Sequence, residues 1–158
     1  MRVNRGNRAT ISLTLSPEER ALILSLTDEI VGLLDERDIG PVGAERDPAL
    51  ARLLPDAYHD DHEASAEFRR FTEDDLAGAK TSDARTVAMA VRGDEAIVLD
   101  RDSVRPWLRS ITDLRLALAV RLGIREDGDE GDTSQQAEPM QQVYFWLGYL
   151  QESLLAAL

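Results

Sequence analysis

At 158 residues, with 43% hydrophobic and 30% charged side chains, the chain has the size and composition of one globular domain spanning residues 1–158. It has no cysteine, which excludes disulfides, thiolate catalysis, cysteine-ligated zinc and thiol-based redox sensing. Its formal charge of −12 repels nucleic acid and anionic membranes, and favours a basic partner or simple solubility.

Met1 to Arg8 are polar and basic with no apolar stretch after them, and no apolar run nears the roughly 18 residues of a membrane span. A cytoplasmic protein without membrane contact is expected. Arg2, Arg5 and Arg8 form the one basic stretch, read here as a frayed end. Thr10 to Leu15 then alternates, with Ile11, Leu13 and Leu15 on one side, which predicts a half-buried strand. Ser16-Pro17-Glu18-Glu19 reads as a helix start: Ser16 caps, Pro17 suits the first helical position, and Glu19 completes a capping box. The helix runs to about Glu36, with Leu22, Leu26, Ile30 and Leu33 as its apolar stripe, flanked by Ile23 and Leu34.

Asp38 to Arg46 reads as a loop, and Asp47-Pro48 starts a short helix that Pro55 stops. From about Asp61 the pattern is helical again to Gly93. Thr72 to Asp75 resembles a second capping box, which predicts two helices with a bend. Glu95 to Leu99 is β-prone and is expected to pair with Thr10 to Leu15, since a lone strand leaves its backbone groups unsatisfied. Asp102 to Leu122 carries Val104, Trp107, Leu108, Ile111, Leu114, Leu118 and Leu122 at three-and-four spacing, and Gly123 ends it. Residues 125–137 hold five acids and no large apolar side chain, which predicts a mobile acidic linker. The last helix, Pro139 to about Ala157, buries Val143, Leu147, Leu150 and Leu154.

The fold class is therefore mainly α: a bundle of five to six helices with a small two-stranded antiparallel sheet, about residues 10–15 and 95–99.

Little in this pattern carries chemistry. On a helix His59, His62 and Glu63 would share a face suited to a divalent metal, but the segment follows Pro55 and reads more simply as a solvated acidic helix start. Glu126 to Asp132 has neither the alternating ligands nor the closing glutamate of a calcium loop. Phosphate-cradling glycine motifs and a nucleophile elbow are absent. Arg69 and Arg70 stand alone amid acids, unlike a recognition helix, so direct nucleic-acid binding is not expected. No catalytic residue and no cofactor is assigned. Trp107 belongs to the core stripe. Trp146 and Tyr149 lie off the last helix's stripe, at the edge where interfaces recruit aromatics, and are the interaction candidates, although core packing is the favoured reading of Trp146.

Several stretches resemble a known family. Trp107-Leu108, Asp113 to Leu118 and Arg121-Leu122-Gly123 are similar to the actinobacterial domain-of-unknown-function family 2017. So are Leu15 to Arg20, Leu53 to Tyr58, Phe68-Arg69-Arg70, Asp74-Asp75-Leu76 and Trp146 to Leu154. The resemblance spans nearly the whole chain and rests on structural, hydrophobic motifs. It implies a relation to oxidative-stress transcriptional regulators that act with an RNA polymerase sigma factor, and a link to proteostasis through the Clp adaptor. Where such regulation uses a cysteine pair, this chain has none. The reading is a non-enzymatic regulatory or adaptor domain with a protein partner, a sigma factor or another basic protein, and self-association through the last helix. The alternatives are a DNA-associated transcription factor and a small metal-dependent enzyme using His59 and His62.

Overall fold

A computed structural model of the chain describes residues 1–37, 45–55 and 62–158, with 62–71 described by their backbone alone. Among the described residues there are three strands and five α-helices: β1 (Arg2–Arg5), β2 (Ile11–Thr14), α1 (Pro17–Asp35), α2 (Pro48–Leu53), α3 (His62–Val91), β3 (Ile97–Leu99), α4 (Val104–Leu122) and α5 (Glu138–Ala157). The predicted class, mainly helical with a small antiparallel sheet, is the one observed.

The sheet has three strands, in the order β1-β2-β3, where two were expected. β2 and β3 pair antiparallel as predicted, with Ile11 opposite Leu99 and Leu13 opposite Ile97. The addition is β1. The basic terminus read as frayed is a strand, with Arg2 opposite Thr14 and Arg5 opposite Ile11. Pairing on both edges leaves no ladder group of β2 open, which is the physical reason for the third strand. A single 3-10 turn (Asn7–Ala9) reverses the chain between the two strands, and the Gly6 N–H donates to the Thr10 carbonyl at 2.7 Å.

Ser16 caps α1 as its sequence predicts. Its Oγ accepts from the Glu19 N–H at 3.1 Å, while Glu19 Oε2 accepts from the Ser16 N–H at 2.8 Å. The buried stripe of α1, however, is Arg20, Ile23, Thr27, Ile30 and Leu34, with the expected Leu22, Leu26 and Leu33 only half-buried at its sides. Two polar residues are tolerated there because they are satisfied. Thr27 Oγ1 donates 2.9 Å bonds to the Ile23 and Leu24 carbonyls, and Arg20 donates to main-chain carbonyls.

The bend expected near Thr72 is absent, and α3 runs unbroken for 30 residues. No proline interrupts 62–91, so nothing removes a backbone donor or forces a kink. α4 ends as predicted at Gly123, which takes the left-handed conformation (φ 71°). The Ile124 N–H reaches the Ala119 carbonyl at 2.9 Å and the Gly123 N–H the Val120 carbonyl at 3.2 Å, the two bonds of a Schellman cap.

The core lies between the sheet and the helices. β2 contributes Ile11 and Leu13, with Leu15 just beyond its end, α4 contributes Trp107, Ile111, Leu114 and Leu118, and α5 contributes Leu147, Leu150 and Leu154. α4 is central, since α1, α2, α3 and α5 all pack against it, while α5 rests on α4 and β1. No helix among the described residues is long and apolar enough to cross a membrane.

Candidate interaction surface

His59 lies outside the described residues. His62 and Glu63 fall in the first turn of α3, where only the backbone is described. Among the described residues no group of three histidines or acids is arranged to hold a metal ion.

Several polar side chains set between helices pair with one another. On the α3–α4 seam Lys80 Nζ lies 2.6 Å from Asp113 Oδ1, and Arg109 grips Asp83 through two bonds of 2.7 and 2.8 Å. Burial raises the Asp113 pKa above the usual aspartate value, outweighing the pull of Lys80 in the opposite direction. On the α4–α5 seam the Arg115 guanidinium lies over Gly148, where an added Cβ would stand 3.4 Å from the guanidinium carbon, at ordinary contact distance. The guanidinium stacks 5.0 Å from the Tyr144 ring centre and donates to Gln151 Oε1 at 2.9 Å. Gln151 in turn donates to Thr112 Oγ1 at 2.7 Å. These are bonds that fix how the helices sit. An apolar groove of about 350 Å³ does run beside them, lined by Leu76, Leu108 and Leu155 and rimmed by the two ion pairs.

The two aromatic candidates on α5 part company. Trp146 is half-buried against the core, and its indole reaches the Glu19 carboxylate, which also holds the Met1 ammonium at 2.9 Å. Burial pushes the Glu19 pKa up, but the bonds from the ammonium, the Ser16 N–H and the indole outweigh it and leave the carboxyl below its ordinary value. Tyr149 faces outward, 62% exposed, and beside it stands Phe145 at 64%. Phe145 meets Tyr144 edge-on, with ring centres 5.7 Å apart.

Phe145 was not singled out from sequence. The signal lay in the spacing, since Gln142, Phe145, Tyr149, Glu152 and Ala156 repeat every three and four residues opposite the core stripe of Leu147, Leu150 and Leu154. All five are exposed. The result is a helix with two seams, one buried and one open, and the open one has aromatic side chains at its centre.

The model of one family, described as Domain of unknown function (DUF2017), matches residues 1–158. A "Putative oxidative stress regulator AosR" of Mycobacterium leprae (strain TN) is 30% identical over 189 residues, covering 99% of this chain and 86% of that protein. The "Oxidative stress regulator AosR" proteins of Mycobacterium bovis and Mycobacterium tuberculosis are 30% identical over 177 residues, covering 92% of this chain and 80% of theirs. No solved structure matches.

Proposed function

Because this chain belongs to the DUF2017 family, and its relatives carry the name oxidative stress regulator, we propose that it is a cytoplasmic, non-enzymatic regulator of the oxidative-stress response that works by protein contact. With no cysteine, the chain has no thiol to oxidise, so the regulation proposed here does not run through a disulfide of its own. Its effect on transcription is then exerted by binding a protein rather than by reading DNA, in keeping with a charge of −12.

The observation that carries this reading is the open seam of α5. Phe145 and Tyr149 expose large aromatic surfaces that the fold does not use, and such side chains dominate protein interfaces. The test replaces the chromosomal gene by a deletion or by the double variant Phe145→Ser/Tyr149→Ser. Survival and transcript levels are then followed after peroxide challenge. Deletion and double variant are expected to show the same altered response, with the variant's far-UV dichroism unchanged. A deletion strain that responds like the wild type overturns the regulatory role. A double variant that responds like the wild type removes the contact surface.

A further inference from the structure

We infer that the open seam of α5 receives α5 of a second copy of this chain, running antiparallel, with Phe145 of each copy against Tyr149 of the other. The inference rests on the reading of that seam as a contact surface and names its occupant.

Gln142, Phe145, Tyr149, Glu152 and Ala156 alternate steps of three and four, the repeat that lets two helices lie along one another at about 20° over several turns. Glu138 and Glu152 bracket the aromatic middle of the seam, and between them only neutral side chains are exposed. Covering the middle therefore desolvates no charge.

Charge then decides the direction. A parallel pairing in register places Glu138 against Glu138 and Glu152 against Glu152, which is repulsive on a chain already at −12. In the antiparallel pairing centred on residue 147, Phe145 meets Tyr149, Gln142 meets Glu152, and Glu138 meets Ala156. No acid faces an acid, and the Gln142 amide donates to the partner's carboxylate. Arg5 adds a favourable term at the rim. Its Nη2 lies 3.3 Å from the Leu158 backbone oxygen, beside the end of α5 that the antiparallel pairing brings to Glu138 of the second copy. The surface is thus complementary to itself under a two-fold axis, the requirement for an isologous dimer. One helix pair with a rim from β1 sits near the lower limit of specific interfaces, about 1,200 Å², so the dimer is expected to dissociate in the micromolar range.

Sedimentation equilibrium of the full chain from ~1 to ~500 µM is expected to show a monomer–dimer equilibrium, weakened at least ~10-fold by Phe145→Glu. The side chain is exposed, so that variant keeps its fold, and circular dichroism checks this. Orientation is read by oxidative cross-linking, which the cysteine-free chain makes unambiguous. Gln142→Cys mixed with Glu152→Cys is expected to form a disulfide-linked pair. Neither variant alone should do so, because like positions then lie ten residues, roughly 15 Å, apart along the helices. A monomer across the whole range overturns the inference, as does self-linking of Gln142→Cys, which marks a parallel pair. If the chain is monomeric but the double serine variant still loses the peroxide response, the seam belongs to another protein and the regulatory reading stands. If the dimer forms but deletion leaves the response intact, the dimer stands and the regulatory reading falls.

Discussion

Arg20 Nη1 lies 2.6 Å from the carbonyl oxygen of Gly93, joining the first turn of α1 to the end of α3 across 73 residues of chain. The same guanidinium reaches the Glu95 carbonyl at 2.5 Å and the Leu15 carbonyl at 3.4 Å, and only 7% of the residue is exposed. A buried cation is thus held by main-chain oxygens where the negative end of α3's dipole lies and the chain turns into β3. Arg20→Met removes the donors and strands these carbonyls, so a loss of about 3 kcal/mol is expected. Arg20→Lys, with one compact head in place of a planar fork, is expected to recover part of it. Urea unfolding measures both. A methionine variant within 0.5 kcal/mol of wild type would show that the clamp contributes nothing net.

Glu19 closes the capping box of α1 and meets the Met1 ammonium and the Trp146 indole. Its folded pKa is lowered, so its stabilisation is present above the ordinary glutamate value and is lost as pH falls through the folded value. Glu19→Gln is expected to cost about 1–2 kcal/mol at neutral pH and to shrink the acid fall in stability. Thermal unfolding between pH 3 and 7 checks it. An acid limb identical to that of the wild type would assign the pH dependence elsewhere.

Asp113 behaves in the opposite sense. Its folded pKa is raised, so its contribution is full below the ordinary aspartate value and is lost as pH rises through the folded value. Lys80→Met leaves the buried carboxylate without its 2.6 Å partner and is expected to cost about 2–3 kcal/mol at pH 7. The penalty shrinks on acidification, because a protonated Asp113 needs no counter-charge. Adding Asp113→Leu to Lys80→Met should restore most of the loss. A penalty independent of pH would mean that Lys80 acts through its aliphatic stem alone.

Gly123 and Gly131 both take positive φ, at 71° and 64°, yet their substitution by alanine should differ. At Gly123 a Cβ meets nothing within 4 Å, so only the conformational cost of about 1 kcal/mol is expected. At Gly131 it would stand 2.5 Å from the Leu122 carbonyl oxygen and 2.7 Å from Ile124 Cγ1. Backbone cannot yield as a side chain does, so roughly 3 kcal/mol is expected. Equal losses in the two variants would contradict this placement of the loop.

The parts of the fold that were plain in the sequence are those where one signal acted alone. Ser16 to Glu19 capped a helix because caps are local, and Trp107 to Leu122 kept its period because that whole face is buried. β1 escaped notice because only Val3 of its four residues turns inward, which makes no pattern. Its strand state comes from β2 offering an edge. The stripe of α1 was misplaced by one position because Arg20 and Thr27 look like surface residues until their carbonyl acceptors are known. Tyr149 was found from its offset on the last helix, whereas Phe145 needed the full repeat of exposed positions to be counted.

The central place of α4 sets an order in which the molecule comes apart. Every other helix leans on it, so its amides exchange with solvent only when most of the structure has opened. α5 rests chiefly on α4 and β1, with Trp146 also reaching Glu19 of α1, so it is expected to lift away before the remaining helices separate. Deuterium should therefore enter Val143 to Leu154 well before Trp107 to Leu118.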